Sequence, residues 1–593
     1  MGKYIVKRIL QVIPMLFILS LIVFMMVRLI PGDPVDMMLG MDIPKDTKEY
    51  ERERLGLNDP LYIQYFRFVG NALHGDLGTS IFSGKPVVEE LAKRFPKTLT
   101  LAVGGTLFGA AVGVLLGIIA AIHRNKFADN LIMVLSLLTV STPSFFLALI
   151  LMLIFCLNLR WLPSIGMDTW QGAILPIATL GLQAIGSIAR TTRSAMLDVI
   201  HQDYIRTSRS RGVPERVITY RHAFKNALIP VLTTIGLRFG GLLAGATLVE
   251  TVFSIPGIGR FVVDSVSNRD YPAIQGAVLV LAVTFVLVNT LVDLLYAAVD
   301  PRVKYGLRRN TADMKNKHPV LRRFMRRKVS VVAAAVLILF VLIAILGPLV
   351  WQVDPLKQSV MKKYGPMTVQ HPLGTDNLGR DTLARMIYGA RVSLAISFAG
   401  VLSGALIGVL LGVSAGYFGG WVDAIISRFI DILLAFPGLL LAITIVAVLG
   451  PGSVNTVIAI TIFTIPGLTR MVRSVVLSLK SSEYVEACKT MGESNLRIIL
   501  THVIPNSMSQ IIVNVTLSLG TAILTASSLS FLGLGVTPPE AEWGAMLSQM
   551  REVIRTYPTG VLVPGIAITL VVMSFSLVGD GLRDALDPKL KNN

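Results

Sequence analysis

Twelve apolar runs, each about long enough to cross a bilayer, punctuate the 593 residues and leave the chain few ways to fold. They lie near 9–27, 99–122, 131–157, 171–189, 228–249, 274–299, 329–350, 392–416, 429–449, 454–469, 507–532 and 560–582. In hydrocarbon a segment must satisfy its own backbone polar groups, so each run is expected to be a helix. Composition agrees: 53% of residues are hydrophobic and 15% charged, which excludes an ordinary soluble domain. The first run reads as a span rather than a cleaved leader. It is too long, and Arg28-Leu-Ile-Pro-Gly-Asp-Pro34 stands where a small-residue cleavage site would be.

The net charge of +19 first suggests nucleic acid or an anionic surface. Sorted by membrane side, with the N-terminus inside, it reads differently. Inside segments hold 33 of the 55 Lys and Arg but 12 of the 36 Asp and Glu; outside segments hold 20 and 21. The excess is therefore cytoplasmic, as orientation by positive charge requires, and nucleic acid is not needed to explain it. The two cysteines, Cys156 near an outer span end and Cys488 in an inner loop, fall on opposite faces and are not expected to pair.

The expected fold is an all-α polytopic membrane protein of about 12 transmembrane helices in two parallel six-helix halves, residues 1–300 and 329–593. Residues 301–328 carry 11 Lys and Arg and read as a basic cytoplasmic linker; both termini are then cytoplasmic. The halves repeat a pattern without a gap. Arg190, Arg193, Ser194, Tyr204, Gly212, His222 and Asn226 recur 280 residues later as Arg470, Arg473, Ser474, Tyr484, Gly492, His502 and Asn506. These segments, about 190–226 and 470–506, read as inner loops holding a short helix that ends at the glycine. Asp129 precedes Pro143 by 14 residues, as Asp423 precedes Pro437. The halves differ most outside, where the first has a loop over about 31–98. Tyr62, Tyr65, Phe66 and Phe68 in it have near-helical spacing and suggest an amphipathic helix.

The chain offers no motor and no catalytic centre. Gly2-Lys3 is followed by Tyr and Gly84-Lys85 by Pro, so neither makes a phosphate-binding loop. No zincin motif, metal-spaced Cys/His cluster or nucleophile elbow occurs, and no metal or cofactor is expected in this chain. His222 and His502 read as packing or polar-contact residues of their loops rather than acid–base groups. A docking element presented twice in a motorless membrane body suits a partner that comes in two copies.

These features resemble the permeases of ABC importers. Glu486-Ala487-Cys488…Gly492 keeps most of the Glu-Ala-Ala…Gly pattern of that family's coupling loop, whereas Arg206-Thr207-Ser208 departs from it. Pro31-Gly-Asp-Pro34, Gly75-Asp-Leu-Gly-Thr-Ser80 and Glu250-Thr-Val-Phe-Ser-Ile-Pro-Gly-Ile-Gly-Arg260 resemble the first permease of the dipeptide/oligopeptide/nickel family. His371-Pro-Leu-Gly-Thr-Asp…Gly379-Arg-Asp381, Gly389-Ala-Arg391 and Ser527-Ser-Leu-Ser-Phe-Leu-Gly-Leu-Gly535 resemble the second, so the two look fused. The resemblance implies a prokaryotic inner-membrane permease, two cytoplasmic ATPase subunits carrying ATP and Mg²⁺, an extracytoplasmic solute-binding protein and a peptide substrate. Coupling would fall to Tyr204, Arg209, Gly212, His222, Tyr484, Glu486, Ala487, Gly492 and His502. A nickel or metal-chelate importer is the rival within the family, and a proton-coupled secondary transporter or a membrane scaffold the rival outside it.

Charge inside a span is costly and calls for a reason. Arg238 lies mid-span beside Gly236, Gly240, Gly241 and Gly245; it either faces the translocation path and meets a substrate carboxylate or pairs with a backbone carbonyl or a neighbouring span's acid. For Asp293 and Asp431, nearer span ends, a structural partner is the expectation. Pro143 and Pro437 are expected to kink their helices or to line the path.

Overall fold

The computed structural model describes residues 2–29, 35, 44–54, 56–299, 323–325 and 327–586. The motif at Pro31–Pro34, nearly all of the basic linker at 301–328 and residues 587–593 lie outside the described residues, as do the side chains of Gly245 and Asp293. The described chain is helical and has two isolated bridge pairs in place of any sheet, Thr79 with Pro86 and Thr375 with Asp381.

In chain order the first half runs α1 (Gly2–Leu29), α2 (Lys45–Arg54), α3 (Leu61–Leu73), α4 (Val87–Ile122), α5 (Phe127–Ser141), α6 (Ser144–Leu151), α7 (Trp170–Ile200), α8 (Asp203–Ser210), α9 (Phe224–Val252), α10 (Ile258–Ser267) and α11 (Tyr271–Val299). The second runs α12 (Lys328–Val350), α13 (Thr382–Phe418), α14 (Gly420–Leu434), α15 (Gly438–Leu449), α16 (Ser453–Lys480), α17 (Glu483–Thr490), α18 (Ile504–Phe531), α19 (Trp543–Met550) and α20 (Thr559–Leu586). Two compact units result, one of residues 1–140, 147–303 and 435–450, the other of 141–146, 304–434 and 451–593.

All twelve apolar runs are helical, but two are bent pairs and the first is too short an apolar stretch to count as a single span. Nine described helices are long and apolar enough to cross a membrane, and the third and ninth runs raise the number to eleven only as bent pairs. The chain turns by 106° between α5 and α6 and by 90° between α14 and α15. Pro143 and Pro437 sit just ahead of α6 and α15, where a missing N–H and a fixed φ suit a helix start. The expectation of a kink is thus too mild; each proline marks a break. In α1 the apolar stretch is Val12–Met26. The aromatic helix expected in the outer loop is α3, and Tyr65 is buried by edge-on contacts with Phe17 and Phe24 of α1.

Each unit is built around one helix pair, α4 with α7 and α13 with α16, zipped by glycines four residues apart. On α4 they are Gly105, Gly109, Gly113 and Gly117, facing Leu180, Ala184, Ile188 and Thr192. On α13 Gly400, Gly404, Gly408 and Gly412 face Ile460, Thr464, Leu468 and Val472. A Cβ at Gly113 would stand 2.9 Å from that of Ile188, and one at Gly412 2.7 Å from that of Val472, so only glycine permits the approach. Between membrane helices, where burial from water supplies little, such close backbone packing holds a pair together.

Candidate functional site

The helices that enter the repeated segments run further than their apolar boundaries suggest. α7 continues to Ile200 and α16 to Lys480, so Arg190, Arg193, Arg470 and Arg473 stand on final helical turns rather than in loops. There the two separately recurring features, arginine and aspartate, meet. Arg193 grips Asp129 with two charge-assisted hydrogen bonds, Nε to Oδ1 at 2.5 Å and Nη2 to Oδ2 at 2.7 Å. Arg473 grips Asp423 in the same way, with Nη2 donating to Oδ2 at 2.6 Å. Such fork-shaped pairing needs Arg at that position and fixes how α7 and α16 stand beside α5 and α14. Asp431 has the structural partner expected of it, Arg470, at 2.7 Å.

Beyond α7 the chain makes α8, turns at Gly212 with φ 74°, and enters α9 through the helical turns of Glu215–Val217 and Ile218–Ala223. The second copy repeats this with α17, Gly492 at φ 81°, Asn495–Ile498 and Ile499–Val503 before α18. A positive φ costs most L-residues about 1–2 kcal/mol, hence glycine at both turns. Ile205, Ile218 and Ala223 are buried with Met196; Val485, Ile498 and Val503 are buried with Val476, each pair 280 residues apart. The recurring tyrosine and asparagine form one latch. Asn226 Nδ2 donates to Tyr204 Oη at 2.7 Å and to His222 O at 3.1 Å; Asn506 Nδ2 donates to Tyr484 Oη at 3.2 Å and to His502 O at 2.7 Å. Each histidine thus anchors its loop through its carbonyl.

The outward faces differ. In the first copy Arg206, Arg209, Arg211, Arg216 and Arg221 are exposed around Tyr220. Glu215 accepts from Arg209 Nε at 2.7 Å and holds that guanidinium above its ordinary range. In the second, Met491, Leu496 and Leu500 are 73%, 68% and 56% exposed, beside exposed Glu486 and Ala487. His502 packs edge-on to Tyr484 and has Glu493 beside it at 3.6 Å, a carboxylate that sequence spacing does not place there.

Sequence reasoning missed two buried carboxylates on the opposite ends of these bundles. Glu250 accepts from Thr98 at 2.6 Å and from Arg260 N at 2.9 Å. Glu542 accepts from Ser393 at 3.0 Å and from Ala545 N at 2.9 Å, and burial pushes its carboxyl up. Both tie the segment after a spanning helix to α4 or α13. Only the presence of Glu250 in a quoted motif hinted at this. The second outer-loop motif is likewise architectural: Asp376 accepts from Arg380 Nε at 2.6 Å, and Asp381 caps α13 by accepting from Ala384 N at 2.6 Å.

Of the path candidates, Arg238 has an exposed side chain on α9 and no ion pair among the described residues. Gly236 and Gly240 let α9 approach Val292 and Asn289 of α11.

Long bent and unbent apolar helices in two repeated sets, each presenting a latched helix at its end, define a polytopic transport permease. The chain belongs to the binding-protein-dependent transport system inner membrane component family, whose profile matches residues 113–305 and again 408–592. The N-terminal profile of such membrane components matches 1–102, and the N-terminal transmembrane domain of oligopeptide transport permease C matches 318–366. It is therefore an ABC importer permease with two peptide-family permeases joined in one chain, a multi-pass membrane protein and not an enzyme. The glutathione transport system permease protein GsiC of Escherichia coli K12 is 44% identical over 305 residues, covering 51% of this chain and all of the relative. The same permease of Salmonella paratyphi A is 45% identical over the same lengths. Among solved structures, the inward-facing MetNI methionine ABC transporter matches at 20% identity and TM-score 0.30, over 35% of this chain and 96% of that one, too loosely to carry an argument.

Proposed function

We propose that this chain is the membrane body of an importer for di- or oligopeptides, driven by two separate ATPase subunits that dock on α8 and α17. The supporting observation is the duplicated latch: the same Tyr–Asn bond, glycine turn and buried face hold a short helix at the end of both α7 and α16. Tyr204, Arg209, Gly212 and His222 serve one docking element, and Tyr484, Glu486, Ala487, Gly492 and His502 the other. ATP and Mg²⁺ belong to the partners, and an extracytoplasmic binding protein delivers substrate to the outer loops. Both termini and the linker at 301–328 then lie in the cytoplasm, and the division at 1–300 and 329–593 separates the two permeases.

The similarity to glutathione permeases favours a peptide-sized substrate, since glutathione is a tripeptide. Arg238, exposed and without an acid partner among the described residues, is suited to a substrate carboxylate; Pro143 and Pro437 shape the path by breaking two spans. Alternating access requires partners whose affinities differ between the inward and outward states. The test is reconstitution in vesicles with the cognate ATPases and binding protein. Peptide-loaded binding protein should raise ATP hydrolysis and drive uptake; uptake undiminished without any ATPase would refute the reading in favour of secondary transport. Arg238→Gln should lower peptide uptake at least tenfold with coupling intact, and normal uptake would remove Arg238 from the path.

A further inference from the structure

One side-chain cluster belongs to the second docking element alone. Cys488, Glu493 and His502 bring a sulfur, a carboxylate oxygen and an imidazole nitrogen within 4.8 Å of one another. The positions 280 residues earlier hold Ser208, Val213 and His222, which supply neither thiol nor carboxylate. The loop assembles the three by backbone geometry. Gly492 turns the chain at φ 81°, Glu493 N donates to Cys488 O at 3.1 Å, and the turn Ile499–Val503 returns His502 toward them.

The cluster is poorly explained as packing. Glu493 Oε2 is shielded from solvent and accepts no hydrogen bond among the described residues. Leaving such an oxygen without a donor costs about 1–3 kcal/mol. It stands 3.6 Å from His502 Nε2, beyond hydrogen-bond reach of about 3.2 Å. The distance does suit two ligands of one ion: metal–nitrogen and metal–oxygen bonds of roughly 2.0–2.2 Å put tetrahedral neighbours about 3.3–3.5 Å apart. The other carboxylate oxygen, Oε1, faces Arg497 at 4.0 Å, which leaves Oε2 for the cluster.

We propose that Cys488, Glu493 and His502 form a site for a zinc-type divalent transition metal, with the fourth position open to water. A thiolate with an imidazole favours such ions over Mg²⁺ or Ca²⁺. Binding takes the thiol proton from Cys488 and releases it to solvent, leaving the sulfur as an anionic ligand. The ion would join the last turn of α17 to the return segment, stiffening one docking element and not its twin.

Cobalt binding to the purified full-length chain tests this, in a Cys156→Ala background where Cys488 is the sole thiol. One equivalent of Co²⁺ should bind with a thiolate-to-cobalt charge-transfer band and be displaced by Zn²⁺. Cys488→Ala, which restores the alanine of the family pattern, should abolish the band and weaken binding at least tenfold; His502→Gln should weaken it likewise. A parent protein lacking that band, or unchanged affinity in Cys488→Ala, overturns the proposal. Transport is not part of the readout, so failure here leaves the importer reading untouched.

Discussion

The two repeated segments have nearly the same inside, Cys488 for Ser208 and Glu493 for Val213 apart, and different outsides. Their buried positions, glycine turns and Tyr–Asn latches recur at a constant offset, whereas the exposed positions change from arginine to methionine, leucine and glutamate. What is shared holds a short helix still, and what has diverged is the surface a partner would meet. An arginine-rich face seeks an acidic groove, and its reach depends on salt. An apolar face seeks a dry pocket. On the importer reading proposed above, ATPases with two different grooves would suit this pair of faces better than two identical ones.

The contrast can be broken most forcefully by exchanging faces. Swapping residues 206–216 with 486–496 should reduce uptake to background if the partners differ, with the folded yield unchanged; uptake at the original rate would show that the faces are interchangeable. Next in size is the loss of a forked arginine. The Asp129 side chain is 2% exposed against 21% for Asp423, so stranding the first costs more. Arg193→Met should destabilise by about 3 kcal/mol and Arg473→Met by less, read as thermal unfolding in detergent, because an uncompensated buried charge is what hurts. Asp129→Asn combined with Arg193→Met should recover part of the loss. Gly212→Ala and Gly492→Ala should each cost about 1–2 kcal/mol and do so equally, since both have positive φ and open space around them. Unequal costs would mean that the two turns are not equivalent. Asn226→Ala and Asn506→Ala should have the smallest effects, about 1 kcal/mol each, with ATP hydrolysis less responsive to binding protein.

Sequence revealed the spans because apolar length in a membrane has one reading, and it revealed the repeat because the offset has no gap. It did not show that Arg193 and Asp129 touch. Their recurrence offsets differ, and the contact joins residues 64 apart across two helices. The breaks at Pro143 and Pro437 were half legible, since proline marks a disturbance without giving its angle. The glycine zipper went unread because its rungs are spaced by four within apolar sequence and their partners lie on another helix. Likewise Cys488, Glu493 and His502 have no spacing that signals a cluster; only the turn at Gly492 gathers them.

The zipper has a mechanical consequence. A helix pair interlocked at every glycine rung cannot shear or splay without opening gaps, which makes α4 with α7, and α13 with α16, the stiff beam of its unit. The α7 beam, 31 residues long, spans roughly 45 Å at about 1.5 Å per residue. Under the docking proposed above, a push at its end would be delivered as tilt rather than absorbed as bending. Under the proposed coupling, the breaks beside Pro143 and Pro437 would be the places where such tilt is taken up.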